Sequence, residues 1–228
     1  MVLIMRDLFK KFNIIPNDEK LYDVAFMHGS YGIKHGIDYN YERLEFLGDS
    51  VLNMIVSEYL YKKYPDYEEG KLTKIRANYV CRKALIFYSH ELGLDKYLKI
   101  SVEENNMSQN EVLSITADIF ESFLGAIFLD QGMEVAKKHV SSVIFKHIDN
   151  SEVFFHDYKS TMKEYGDAEE VDVEYNILEE YGVPHDKTFI MEILIDGKQF
   201  GVGKGKNKKE ATQNAAREAM KRLKIDEF

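Results

Sequence analysis

Cysteine is nearly absent: Cys81 is the only one in 228 residues. A lone thiol cannot close an internal disulfide, and without a neighbour it is a poor zinc ligand, so packing in a reducing, cytoplasmic setting is its expected role. Proline is scarce as well, with three in the chain, and Pro16 and Pro65 stand where helices need to break. Long apolar runs are missing. The start, Met-Val-Leu-Ile-Met-Arg-Asp, soon turns charged, and no later window is expected to reach the ~20 residues of a bilayer span, which argues against a membrane protein or an exported one. Excess positive charge is also lacking. The formal net charge is −9, which by total argues against contact with phosphate, because that contact needs cations. The total hides one exception: between Gly197 and Lys209 lie Lys198, Lys204, Lys206, Lys208 and Lys209 and no acid.

What is present is ample material for a core, with 45% apolar residues and 13% aromatic ones in a chain long enough for one large domain or two modest ones. Apolar periodicity predicts helix after helix over the first 150 residues, at 5–12, 19–28, 41–64, 69–92, 111–129 and 133–148. Beyond 150 the period changes. A helix at 157–165 precedes strands at 174–180, 188–195 and 199–204, with Asp196-Gly197 as the hairpin turn, and Asn207 caps a last helix at 208–224. The expected fold class is therefore an all-α domain over 1–150, a linker at 151–156, and a small α+β domain of α-β-β-β-α order over 157–226. Gly201-x-Gly203-x-Gly205 reads as a flexible strand exit, because the upstream glycine and the Ser or Thr of a phosphate-binding loop are missing.

Two of the predicted helices carry acids where apolar residues are expected. In Tyr-Glu-Arg-Leu-Glu-Phe-Leu-Gly-Asp-Ser-Val-Leu, Glu42, Glu45 and Asp49 fall three and four apart on one stripe of a helix that is otherwise apolar and expected to be buried. In Thr-Ala-Asp-Ile-Phe-Glu-Ser-Phe-Leu-Gly-Ala-Ile-Phe-Leu, Asp118 and Glu121 share a face of a second such helix. Acids so spaced usually mark a solvated face or an ion pair, but here few basic partners lie one turn away. Unpaired buried carboxylates cost several kcal/mol, roughly. Packing the two helices together would close a cage of Glu45, Asp49, Asp118 and Glu121, all oxygen donors. Such a set suits Mg2+, with Mn2+ as a substitute, and phosphodiester hydrolysis.

At these residues the chain resembles the ribonuclease III family. Glu42-Arg43-Leu44-Glu45-Phe46-Leu47-Gly48-Asp49-Ser50 is similar to its signature helix, and His28, Ser30 and Tyr31, then Glu69-Gly70-Lys71-Leu72, then Ala117-Asp118 with Glu121, follow in the family's order. The resemblance implies that Glu45, Asp49, Asp118 and Glu121 bind magnesium, with Asp49 and Glu121 as the catalytic pair. It implies secondary parts for Glu42 and Glu69, and a homodimer in which Phe46 enters a pocket of the partner, against the plain alternative of a core Phe. The sequence departs from the family where Phe26-Met27-His28-Gly29-Ser30-Tyr31 lacks the usual flanking Thr and Arg, and where Ser122 replaces the usual Ala.

The second half resembles a double-stranded-RNA-binding domain. Lysines 204, 206, 208 and 209 at a helix start suit the phosphates of an A-form duplex. His185 and Lys187 lie on a loop suited to the minor groove, and Thr161, Lys163 and Glu164 on the first helix face ribose hydroxyls. Asn207 stands where Ser is commoner. Together the expectation is a magnesium-dependent endonuclease on double-stranded RNA, with no small-molecule cofactor, leaving 5′ phosphates and short 3′ overhangs and processing ribosomal and other structured precursor RNAs. The alternatives are a non-catalytic RNA-binding dimeric scaffold and, less fittingly, a metal phosphohydrolase of small nucleotides.

Overall fold

The computed structural model describes residues 2–101, 107–183 and 186–225, with the side chains of residues 2–4 excepted. They divide into two compact units, 1–155 and 156–228.

In the first unit α1 (Val2–Phe12), α2 (Glu19–Ala25), α3 (Gly29–His35), α4 (Glu42–Lys63), α5 (Glu69–Val80), α6 (Arg82–Leu92), α7 (Gln109–Gln131), α8 (Met133–Val140) and α9 (Lys146–Asp149) follow in order, with a π-helical stretch (Ser141–Phe145) between the last two. The axis of this unit is α7. It packs on α2, α4, α6 and α8, and every residue from Ile115 to Ile127 except Asp118 is buried. Ser108 starts it with a capping box: its Oγ accepts from the Glu111 amide at 3.2 Å and its own amide donates to Glu111 Oε2 at 2.7 Å. At the other end Asp130 accepts from the amides of Asn17 and Asp18 and from the Tyr22 hydroxyl, tying the first loop down. By length and hydropathy α7 would span a membrane, which corrects the expectation that no such window exists. Two-thirds of its apolar window lies inside the fold, so what it displays is the composition of a core helix.

Three other expectations change. The helix expected at 19–28 stops at Ala25. The chain then extends, Met27 bridges to Lys99, and His28 caps the new helix α3, its Nδ1 accepting from the Ser30 amide. The helix expected at 69–92 breaks at Cys81, whose extended backbone (φ −71°, ψ 157°) ends α5 and starts α6. No Gly or Pro marks that break. It lets Tyr79 on one segment and Ala84, Leu85 and Tyr88 on the other all reach the core. Finally α4 is less buried than its apolar content suggests, because Glu42, Phe46, Asp49 and Met54 reach solvent while Leu44, Gly48, Val51, Leu52, Ile55 and Val56 face inward.

The second unit has the expected element order: α10 (Tyr158–Glu169), β1 (Val173–Val183), β2 (Asp186–Ile195), β3 (Lys198–Gly205) and α11 (Lys208–Leu223). The antiparallel sheet runs β1-β2-β3. Asp196 and Gly197, both at positive φ (47° and 71°), make the tight turn that pairs Ile195 with Lys198. Met191, Ile193 and Ile195 meet Met162 of α10 and Ala211, Ala215, Ala216, Ala219 and Met220 of α11. The three glycines are not a flexible exit. Gly201, Gly203 and Gly205 are buried within β3, and a Cβ on Gly203 would sit 2.1 Å from the Ala215 nitrogen. They let the alanine face of α11 lie directly on the strand.

Candidate active site and RNA-binding face

Two glycines bring the acid-bearing helices together. A Cβ on Gly48 of α4 would fall 1.8 Å from the Glu121 carbonyl oxygen, and one on Gly125 of α7 would fall 2.3 Å from that of Leu44. The helices therefore touch backbone to backbone, and no side chain fits between. Gly48 lies one residue before Asp49 and is level with Glu121. Close contact there places Glu45 and Asp49 beside Asp118 and Glu121.

The electrostatics follow from that crowding. Glu121 is 9% exposed. Burial, then Asp49, Glu45 and Asp118, push its carboxyl up to about 8. Glu45 is pushed up to about 7 by burial, then by Asp118, Glu42 and Asp49. Asp118 is raised by burial, but the Tyr41 hydroxyl donates to its Oδ2 at 3.0 Å and the Arg82 guanidinium opposes the rise. Asp49 is exposed and accepts from Asn53 Nδ2 at 2.7 Å. The four carboxylates thus share one field, but they do not form the closed cage expected. Among the described residues no three His, Cys, Asp or Glu side chains are grouped as they would be to hold a metal ion. The donor chemistry nevertheless fits a hard divalent cation: all four are carboxylates, and two are held protonatable near neutrality by one another and by burial, a cost that positive charge would relieve.

The remaining candidates separate. Glu42 is on the exposed side of α4 and contributes to the field at Glu45. Glu69 is not in that field. It begins α5, accepts from Thr73 Oγ1 at 2.9 Å, and lines a groove with Ser57, Tyr61, Tyr67 and Arg76. Phe46 is 78% exposed, so it is not a core residue. Ser122, the departure from the usual Ala, is fully buried and donates to the Ala25 carbonyl at 2.6 Å, fastening α7 to the end of α2. Sequence reasoning missed Tyr41 and Arg82, which carried no spacing signal. It also passed over Gly48 and Gly125, which did carry one, because a glycine within a helix costs about 1 kcal/mol unless close packing uses it.

In the second unit Asn207 caps α11, accepting from the Glu210 amide at 2.9 Å, and Lys204, Lys206, Lys208 and Lys209 surround that helix start, all exposed. Lys206 pairs with Asp186 at 2.6 Å and Lys187 with Glu180 at 2.5 Å. Lys204 and Lys208 lie over the rings of Tyr181 and Phe189. Asp157 links α10 to α11 by accepting from Gln213 Nε2 at 2.7 Å. On α10 Thr161 is half-exposed, and Lys163 and Glu164 are exposed. His185 lies outside the described residues.

A helical unit with crowded carboxylates, followed by an α-β-β-β-α unit with a cationic helix start, is the build of a nuclease that holds duplex RNA with one part and cuts it with the other. Known proteins narrow this. The family model described as Ribonuclease-III-like matches residues 18–148, and that of the double-stranded RNA binding motif matches 158–223. Curated relatives include Ribonuclease 3 of Latilactobacillus sakei, 41% identical over 97% of this chain and 98% of its own, and Ribonuclease 3 of a Geobacillus strain, 40% identical over 96% and 91%. A solved nuclease domain of ribonuclease III from Campylobacter jejuni is 37% identical, with a TM-score of 0.56 over 61% of this chain and 94% of that one. The chain belongs to the ribonuclease III family, the endoribonucleases of double-stranded RNA.

Proposed function

We propose that the chain hydrolyses double-stranded RNA in a magnesium-dependent reaction, as a homodimer, with Asp49 and Glu121 as the catalytic pair. The observation that carries this reading is the single carboxylate field made by α4 and α7 around Gly48 and Gly125. Glu45, Asp49, Asp118 and Glu121 would hold the cation, with Mn2+ as a substitute. When bound, such an ion supplies a water of lowered pKa and stabilises charge on the leaving oxygen. The chain's own contribution is placement. Tyr41 and Arg82 orient and offset Asp118, Asn53 orients Asp49, and burial keeps Glu121 out of bulk water.

In this reading residues 1–150 form the nuclease domain, 151–156 the connection and 157–226 the RNA-binding domain. Thr161, Lys163, Glu164, His185, Lys187, Lys204, Lys206, Lys208 and Lys209 contact the duplex through phosphate and ribose hydroxyls. Glu42 and Glu69 assist in handling RNA. Phe46, exposed on α4, supports a dimer contact, and the Campylobacter jejuni neighbour is described with a region involved in dimer formation. Ribosomal and other structured precursors are the proposed substrates, the cytoplasm the proposed compartment, and 5′ phosphates with short 3′ overhangs the proposed ends. Incubating the protein with a long RNA duplex, with and without EDTA, tests the reading: cleavage that persists in EDTA, or its absence with magnesium present, would reject it in favour of another mechanism or of a scaffold.

A further inference from the structure

The last residues of the nuclease unit are held rather than free. Asn78, in the final turn of α5, grips them at three points. Its Nδ2 donates to the Glu152 carbonyl at 2.9 Å, and its Oδ1 accepts from the amides of Phe154 and Phe155, both at 2.8 Å. Beside it, buried His147 places Nδ1 2.7 Å from Glu152 Oε2 and Nε2 3.4 Å from Glu91 Oε2. The Phe154 ring packs against the rings of Tyr79, Phe87, Tyr88 and His147. The next unit starts at once: Asp157 is the N-cap of α10. Only His156 lies between the held Phe155 and that cap.

We propose that Asn78 is a positioning residue that sets the length of the tether between the nuclease unit and the RNA-binding unit. With the segment held, the tether is about two peptide units, a reach of roughly 7 Å. Released back to Glu152, whose amide still donates to the His147 carbonyl, it becomes about five units, or roughly 18 Å. The effective concentration of one tethered module at the other's ligand falls as about the 3/2 power of tether length. Release therefore weakens joint engagement of a duplex about fourfold and leaves the chemical step alone. This kinetic consequence rests on the duplex-cleavage reading, whereas the clamp itself does not.

The test uses the full chain. In Asn78→Ala, hydrogen exchange at the Phe154 and Phe155 amides accelerates at least about tenfold, since their acceptor is gone, while the amides of α4 and α7 keep their protection. KM for a long RNA duplex rises about fourfold and kcat is unchanged. Asn78→Asp, which keeps an oxygen acceptor for both amides, restores their protection and holds KM within about twofold of wild type. A three-residue Gly-Ser-Gly insertion between Phe155 and His156, with Asn78 intact, reproduces the rise in KM while both amides remain protected. Unchanged exchange in Asn78→Ala overturns the proposal, as does a KM that fails to rise in either the Ala variant or the insertion. If the wild-type chain cleaves no duplex, the functional reading falls, and amide exchange still decides the clamp.

Discussion

The two units solve the same packing problem and use the solution for opposite electrostatic ends. In the nuclease unit Gly48 and Gly125 let α4 and α7 touch through their backbones, and in the RNA-binding unit Gly201, Gly203 and Gly205 let α11 lie on β3. The first contact forces like charges together in a half-dry place, raising Glu45 and Glu121 toward neutrality. The second keeps its charged groups outside. Its lysines sit around a capped helix start in water, where they cost little, Lys206 paired there with Asp186. Close packing is thus neutral with respect to function. What the contact carries at its rim decides whether it stores electrostatic tension or presents a docking surface.

That contrast can be broken most severely at the carboxylates. Glu121→Gln should lower magnesium-dependent cleavage of a long duplex at least about a hundredfold while duplex binding without cleavage stays within about twofold, measured by gel assay and by fluorescence anisotropy. Wild-type cleavage in that variant would remove Glu121 from the site. Next come the glycines. Gly48→Ala should destabilise the nuclease unit by about 3 kcal/mol or more, since the new Cβ meets a backbone carbonyl that cannot swing away. Gly203→Ala should instead lower the melting of the RNA-binding unit and its duplex affinity, and domain-resolved calorimetry or hydrogen exchange distinguishes the two.

A smaller effect separates the units by pH. His139 is buried among Phe12, Phe120 and Phe123 with its Nε2 unpartnered, and burial lowers it from 6.5 to about 4. Because the folded value is the depressed one, the stabilisation is complete above the unfolded value and is lost as pH falls from 6.5 toward 4. Between pH 7 and 5 this amounts to about 2 kcal/mol. Glu45 and Glu121, raised in the same unit, tilt the stability of wild type and His139→Leu alike in the opposite sense, so the difference in urea-unfolding free energy between the two should change by that amount from pH 7 to 5; a constant difference would reject the assignment. The smallest changes belong to the exposed lysines. Lys208→Ala or Lys209→Ala should each weaken duplex binding a few-fold, uniformly across sequences, and reduce the salt slope by about 1.

The comparison also shows why some features were legible beforehand. The acid spacings Glu42, Glu45, Asp49 and Asp118, Glu121 are local facts, and helical geometry makes them shared faces in any fold that keeps the helices. The Asp196-Gly197 turn and the Asn207 cap were equally local, and both stand where expected. The break at Cys81 was not legible, because no residue there disfavours a helix and only the demand of the core on both Tyr79 and Tyr88 bends the chain. The exposure of Phe46 and Asp49 was hidden for a related reason. An apolar-rich helix does not say which of its sides lacks a neighbour.

By itself, then, the sequence determined which residues share a helix face, where the chain turns, and where positive charge gathers, since these depend on interactions within a few residues. The tertiary structure alone decided that the two acid pairs meet, that they share one field without closing into a cage, and that Asn78 holds the end of the nuclease unit. Each of those rests on groups far apart in the chain, and whether they touch is settled by how helices fit together rather than by the residues on either one.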